Sequence, residues 1–378
     1  MRLKLLIAVL FLFFPCGLCL GQSEYTIPLA KGSSSLAVPS LARRGRTLYV
    51  AYRTYNWLKS SSWLQVMVYD LDSRKEIRQA TISVPKVRGQ RAAQGLFISP
   101  DGKTLAYSES YDPKLLVLLS TADLSEIRRS TNLPFTTDDY DRRFAGFTKG
   151  GLLAFASVGG YGTIRFLRLN SQNLSVASDT RLRGTKWIES FAPAWVPSDG
   201  LVWGMRSLNP DTDEWTQYTE KGEPTGQKMR HPSDVSCYGA IPIGNVGLLA
   251  FYGNMTAKGF VVSYYNHRSS DLKLTCVPSP YGVSDDPDYA GATCATMTDF
   301  SEPANNRTLD SEFLLLRTRP LEILWHHKMR DVAVGNVFGP TMVVQKGNPL
   351  IFRSGKQIWI VAPSRKPELK VYIVTPHE

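Results

Sequence analysis

The sequence predicts an all-β fold built from repeated four-stranded sheets. The first observation is a glycine closely followed by leucine, as in Gly102-Lys-Thr-Leu105, whose later copies place leucines at 153, 201 and 249. The equal spacing of 48 residues between these leucines indicates a repeat. The second observation is that the segments between turn residues are short and rich in Val, Phe and Tyr, which favours strands over helices.

Two copies predict the layout of a sheet. In the second copy the predicted strands are Gln94–Ser99, Thr104–Ser108, Leu115–Leu119 and Glu126–Ser130. They are separated by the turn sequences Ser99-Pro-Asp-Gly102, Tyr111-Asp-Pro113 and Ser120-Thr-Ala-Asp123. In the third copy the predicted strands are Arg143–Gly146, Leu152–Ser157, Thr163–Leu169 and Leu174–Ala177. Each copy therefore contributes four antiparallel strands.

Three less regular matches to the glycine–leucine pattern complete the number of repeat copies. They begin at Gly45-Arg-Thr-Leu48, at Phe313 to Leu316 and at Gly347-Asn-Pro-Leu350. Seven copies result, with six or eight as alternatives, because the sixth copy has no obvious fourth strand around residues 329–332. The alternating segment Glu24 to Leu29 belongs to no copy, and we expect it to complete a last sheet formed by residues 341–374.

Four-stranded sheets cannot bury both faces alone, and radial stacking around an axis covers those faces while leaving few exposed edges. The segment FISPDGKTLAYSES at residues 97–110, with LLVLLSTADLSEIRR at residues 115–129, resembles the WD40-like bacterial propeller repeats of TolB-type and YVTN-type proteins. This resemblance implies a single β-propeller domain. It is not specific about activity.

The first residues predict export. Arg2 and Lys4 precede an apolar run at residues 5–14, and small residues follow up to Gly21, which is the pattern of a signal peptide at 1–21. The run is about half as long as a membrane-spanning helix. A lipoprotein anchor is the less favoured alternative, because no small residue precedes Cys16 or Cys19. We expect a mature propeller domain at 22–378 that is secreted or periplasmic.

The mature chain keeps three cysteines, Cys237, Cys276 and Cys294. An oxidising compartment then favours one disulfide, and Cys276 with Cys294 is preferred over Cys237 with Cys294 because it closes the shorter loop. The sequence contains no CxxC motif, and the neighbouring His326 and His327 would point to opposite faces of a strand. We therefore expect neither a cofactor nor a metal.

Candidate binding residues are large rings, with basic side chains among them, in the connections after second strands and before first strands. Such connections lie on one face of a propeller, where rigid rings beside arginines suit a binding surface. The candidates are Tyr55, Trp57, Tyr111, Tyr140, Arg142, Arg143, Tyr161, Trp187, His231 and Tyr289.

Two classes of function remain. The favoured one is a non-catalytic scaffold, expected to be a monomer, that binds a protein, peptide or glycan on this face. The alternative is a lactonase-like or glycan-cleaving propeller enzyme whose acids converge at the channel mouth. The acids considered are Asp138, Asp141, Glu189, Asp234 and Asp288. Nucleic-acid binding is disfavoured despite the formal charge of +11, because Lys and Arg are scattered along an exported chain.

Overall fold

The computed structural model consists of β-strands and their connections. It describes residues 21–29, 39–56, 61–85, 94–109, 115–135, 139–159, 163–183, 190–192, 202–209, 212–219, 223–232, 236–243, 247–254, 259–266, 268–274, 276–280, 282–284, 286–295, 312–328, 349–364 and 366–376. Within these ranges there is no helix long and apolar enough to span a bilayer. The predicted signal peptide lies outside them, apart from Gly21.

The strands follow one another in an antiparallel pattern along most of the chain. In chain order they are β1 (Gly21–Pro28), β2 (Ser40–Arg44), β3 (Thr47–Asn56), β4 (Ser61–Asp70), β5 (Lys75–Val84), β6 (Gln94–Ile98), β7 (Thr104–Glu109), β8 (Leu116–Ser120), β9 (Glu126–Ser130), β10 (Asp139–Phe147), β11 (Leu153–Gly159), β12 (Thr163–Leu169), β13 (Val176–Arg183), β14 (Ser190–Ala192), β15 (Val202–Asn209), β16 (Thr212–Tyr218), β17 (Pro224–Pro232), β18 (Ser236–Ile243), β19 (Gly247–Asn254), β20 (Gly259–Asn266), β21 (Arg268–Leu274), β22 (Val277–Pro280), β23 (Val283–Ser284), β24 (Tyr289–Ala295), β25 (Glu312–Thr318), β26 (Leu321–Lys328), β27 (Leu350–Ser354), β28 (Gln357–Pro363) and β29 (Glu368–Thr375).

The described strands form seven sheets, which we number along the chain. Sheets 1 to 5 each contain four consecutive strands, starting at β2, β6, β10, β14 and β18. Sheet 6 has the order β22-β24-β25-β26, and sheet 7 has the order β23-β27-β28-β29-β1. This succession of four-stranded antiparallel sheets is a β-propeller, as the sequence predicts.

The ring closes through the N-terminal strand. Strand β1 pairs antiparallel with β29, from Gly21 opposite Thr375 to Pro28 opposite Glu368. A hydrophobic cluster that includes Ile27 and Leu48 then packs sheet 7 against sheet 1. The prediction that the segment starting at Glu24 completes the last sheet is confirmed.

The core lies between consecutive sheets rather than in one central mass. Described clusters fill the junctions of sheets 1 and 2, 2 and 3, 4 and 5, 5 and 6, 6 and 7, and 7 and 1. Buried apolar area is the main favourable term in folding, so each sheet is stabilised chiefly by its two neighbours.

The repeated leucines are equivalent only in part. Leu105 and Leu153 are fully buried against the preceding sheet, as are Leu48 and Ile358, each of which also follows a glycine by three residues. Leu249 is equally buried but packs toward sheet 6, the following sheet. A shift of one residue moves a strand side chain to the opposite face, and Leu249 follows its glycine by only two residues. Leu201 lies outside the described residues.

The last two copies were assigned to the wrong strands. Phe313 to Leu316 belongs to the third strand of sheet 6, and its fourth strand is β26, immediately afterwards. Leu350 begins the first strand of sheet 7, and the true second strand starts at Gln357, two residues after Gly355. Long connections in sheet 6 break the regular spacing, so spacing alone misplaced the register.

The fourth strand of sheet 3 also begins later than predicted. Leu174 lies in the turn before β13 with a φ of 60°, whereas the prediction made it the first strand residue. Leu124 and Arg74 occupy the matching turns of sheets 2 and 1, with φ of 62° and 55°. These three left-handed residues are 50 residues apart and form a second, independent sign of the repeat.

Antiparallel order gives the molecule two faces. The loop face carries the connections between second and third strands and those between consecutive sheets. The hairpin face carries the connections between first and second strands and between third and fourth strands.

On the hairpin face, the connection between β22 and β24 bridges two sheets. It contributes β23, which pairs in parallel with β27 on the edge of sheet 7. Cys276 and Cys294 form a disulfide at the other, loop-face ends of β22 and β24, with Cα atoms 5.4 Å apart. The predicted pairing is confirmed, and it ties the first two strands of sheet 6 together.

Candidate functional site

A buried ion pair joins the second strands of sheets 1 and 2 at their loop-face ends. Arg53 lies near the end of β3 and is 6% exposed, and Glu109 is the last residue of β7 and fully buried. The guanidinium of Arg53 is bidentate to the carboxylate: Nε donates to Oε1, and Nη2 donates to Oε2 at 2.5 Å. Bidentate pairs of this kind fix the orientation of both side chains.

Further hydrogen bonds complete the network. Arg53 Nη1 donates to the hydroxyl of Ser62 at 2.8 Å and to the carbonyl of Pro85 at 2.7 Å. The hydroxyl of Tyr107 donates to Glu109 at 2.5 Å. Pro85 directly follows the fourth strand of sheet 1, so the network also holds the start of the connection between the two sheets.

The electrostatics of the network keep Arg53 charged and Tyr107 neutral. Burial alone lowers the pKa of Arg53, but the hydrogen bonds and charge of Glu109 more than offset burial, and the net pKa is raised. Burial and the neighbouring Glu109 carboxylate raise the pKa of Tyr107 well above its usual value. Tyr107 therefore remains a neutral hydrogen-bond donor.

A second buried carboxylate lies near the loop-face end of sheet 4. Glu214 is the third residue of β16 and 1% exposed. It pairs with Lys228 and Arg230 on β17, each at 3.2 Å. The adjoining strand ends are thus also held by charge.

The Arg53 network lies at the base of two predicted binding connections. Tyr55 is two residues beyond Arg53 on β3, opposite Ser62, and Trp57 is the second residue after that. Tyr111 is two residues beyond Glu109. Trp57 and Tyr111 lie outside the described residues, as do Tyr161 and Trp187.

Other candidates lie on strand segments at the loop-face end. Tyr140, Arg142 and Arg143 belong to β10, the first strand of sheet 3. His231 is near the end of β17, opposite Asp213. Their backbone positions lie toward the loop face, and the structure describes only the backbone at these residues.

Tyr289 does not lie in a loop-face connection, contrary to expectation. It begins β24, next to the hairpin face, and is 7% exposed within the cluster between sheets 6 and 7. Asp288 is misplaced for the same reason and bonds to Arg319 there. The long connection in sheet 6 was mistaken for a connection between sheets, and Asp288 cannot meet acids on the loop face.

The alternation of side chains along the two second strands could have revealed the ion pair. Arg53 follows Leu48 by five residues, so it points away from the preceding sheet, whereas Glu109 follows Leu105 by four and points toward it. Both side chains therefore face the junction of sheets 1 and 2. The described residues contain no cluster of three or more His, Cys, Asp or Glu side chains that could hold a metal ion.

Comparisons with known proteins identify no family for this chain. No protein-family model matches the chain, and no curated protein matches its sequence. Among solved structures, the β-propeller domain of Cps50 (Swd1) from Myceliophteria thermophila is 9% identical with a TM-score of 0.46, covering 89% of this chain and 98% of that one. The β-propeller domain of the Trilobed protease from Pyrococcus furiosus, which has an open velcro topology, is 11% identical with a TM-score of 0.48, covering 89% and 93%.

Proposed function

We propose that the protein is an exported, non-catalytic β-propeller scaffold that binds a protein, peptide or glycan on its loop face. The observation that carries this proposal is the Arg53–Glu109 network, which fixes the strand ends from which the connections with Tyr55, Trp57 and Tyr111 extend. Binding loops on a rigid base lose little conformational entropy when a partner binds.

Two features support an extracellular site of action. The chain begins with a signal-peptide pattern, and the Cys276–Cys294 disulfide is of the kind that persists in oxidising compartments.

Affinity capture with matched variants tests the proposal. Mature protein would be immobilised and exposed to the culture fluid and envelope extract of its source. The loop-face variant is Tyr55→Ala with Trp57→Ala, and the control is Ile77→Ala with Ile127→Ala, two exposed residues of outer strands. We expect one ligand to be captured by wild type and control, and about thirtyfold more weakly by the loop-face variant.

Both variants must have the unfolding temperature of the wild type, so that a difference in capture reports binding and not loss of folding. Equal capture by all three proteins contradicts the loop face. Loss of folding in Tyr55→Ala with Trp57→Ala shows instead that these rings pack between sheets.

A further inference from the structure

Basic side chains from three hairpins that are distant in sequence lie together on the hairpin face. They come from the hairpins between first and second strands of sheets 7, 1 and 2. We define the basic hairpin patch as Arg43, Arg44, Arg46, Lys103, Arg353 and Lys356. Arg43, Arg44 and Arg46 are neighbours in the sequence, but Arg353 and Lys356 join them only because the ring closes and sheet 7 meets sheet 1.

Direct contacts bring the hairpins of sheets 7 and 1 together. The guanidinium carbon of Arg43 lies 4.1 Å from the ring centroid of Phe352, and that of Arg46 lies 4.3 Å from the ring centroid of Trp359. The two rings stack with centroids 5.8 Å apart. Cations over aromatic faces are attracted to the ring quadrupole, so the two arginines are held in place.

A further contact joins the hairpin of sheet 1 to the hairpin of sheet 2. The guanidinium of Arg44 fills the space that a Cβ at Gly102 would occupy, directly beside Lys103. The hairpins of sheets 1 and 7 also share one local design: Arg43 donates to the carbonyl of Gly45, and Arg353 donates to that of Gly355 at 3.0 Å.

The patch carries an excess of positive charge. Asp72 pairs with Arg46 at 2.6 Å, and Asp101 accepts hydrogen bonds from Ser99 and from the amide of Lys103 within its own turn. Arg44, Lys103, Arg353 and Lys356 are exposed, and none of them forms an ion pair with another described residue. Asp70 also lies near Arg46, and among the described residues the six cations of the patch outnumber these three carboxylates.

The surroundings favour a strongly charged polymer as the ligand. The rings of Phe352 and Trp359 lie beneath arginines and are 0% and 5% exposed, so they offer no apolar anchor. The exposed large apolar side chains of the described residues, such as Ile77, lie on fourth strands instead. Protein interfaces rely on apolar or aromatic anchors, and membrane-binding surfaces on apolar insertion, whereas a polyanion needs only spaced cations.

We propose that the basic hairpin patch binds a linear acidic polysaccharide, whose carboxylate or sulfate groups pair with cations from three consecutive sheets. This inference goes beyond the loop-face function and does not depend on it. Guanidinium groups match carboxylate and sulfate oxygens geometrically, so the exposed side chains of Arg44 and Arg353 suit such pairing.

Titration of fluorescent heparin oligosaccharide and polygalacturonate tests this proposal at several salt concentrations. The patch variant is Arg44→Gln, Lys103→Gln and Lys356→Gln. The control is Arg128→Gln, Arg181→Gln and Lys273→Gln, which removes the same charge from exposed positions of fourth strands away from the hairpin face. We expect the patch variant to bind on the order of tenfold more weakly with a shallower salt dependence, and the control to stay close to wild type.

Polyglutamate and vesicles containing anionic phospholipid are the comparison probes. Weaker binding of both than of the glycans supports the proposal. Equal losses in patch and control variants, no glycan binding at low salt, or tighter binding of polyglutamate or vesicles would overturn it. Loop-face variants should bind heparin normally, which separates this proposal from the one above.

Discussion

Replacing Glu109 with Gln should destabilise the protein severely, although the side chain keeps its size. The change leaves the guanidinium of Arg53, only 6% exposed, without a counter-charge and replaces one of the two oxygens that accept its hydrogen bonds with an amide nitrogen. Breaking a buried pair in this way costs about 3–5 kcal/mol. A domain is typically stable by about 5–15 kcal/mol, so we expect a large drop in the urea midpoint.

Urea unfolding followed by tryptophan fluorescence measures this loss. Glu126→Gln is the matched control, because Glu126 pairs with Arg129 in the same sheet with both side chains partly exposed, and we expect a loss below about 1 kcal/mol. Replacing Arg53, Tyr107 and Glu109 together by Met, Phe and Leu should recover most of the stability. A cost below about 1 kcal/mol for Glu109→Gln would refute the idea that this carboxylate balances a buried charge.

Two further predictions concern sheet 7 and its neighbours. His327 stacks on Trp325 with centroids 5.2 Å apart, and burial lowers its pKa, so the unfolded chain binds a proton more readily. Stability should therefore fall as pH drops below about 6.5, whereas His327→Phe should remove that component of the pH-dependent unfolding curve. Gly282→Ala should destabilise the protein more than Gly355→Ala in thermal unfolding, because a Cβ at Gly282 would lie 2.8 Å from Ile351 and one at Gly355 would meet nothing within 4 Å. Equal losses would show that the approach of β23 to sheet 7 is not tight.

The sequence predicts the propeller well where local patterns decide it. In sheet 2, the predicted strands agree with the structure to within a residue, because turn residues and alternating apolar residues agree there. Leu249 lies in a second strand as predicted but packs toward the following sheet, and Phe313 was assigned to the wrong strand. Spacing along the chain does not fix which face of a strand is buried once connections change length.

The candidate site could be predicted only in outline. Tyr55 and Tyr140 were predicted in connections and lie on strands, at the ends of β3 and β10 next to the loop face. The Arg53–Glu109 pair and the basic hairpin patch depend on contacts between residues that are remote in sequence. Such contacts follow from ring closure and strand parity, which no single local motif records.

Ring closure by β1 is the central claim, since the sheet 7 to sheet 1 junction and the basic hairpin patch both depend on it. Thr26 lies opposite Lys370 in the pairing of β1 with β29. Directly opposed strand residues are about 4.5–5.5 Å apart and can be joined by a disulfide. We predict that Thr26→Cys with Lys370→Cys forms this bond in air, as detected by peptide mass spectrometry, and raises the unfolding temperature.

Thr26→Cys with Glu368→Cys is the register control, because a diagonal pair is about 7–8 Å apart and should remain unjoined. Cross-linking at Lys370 and not at Glu368 is the predicted result. The reverse pattern would contradict the register of the pairing, and no cross-link in either variant would contradict the closed ring.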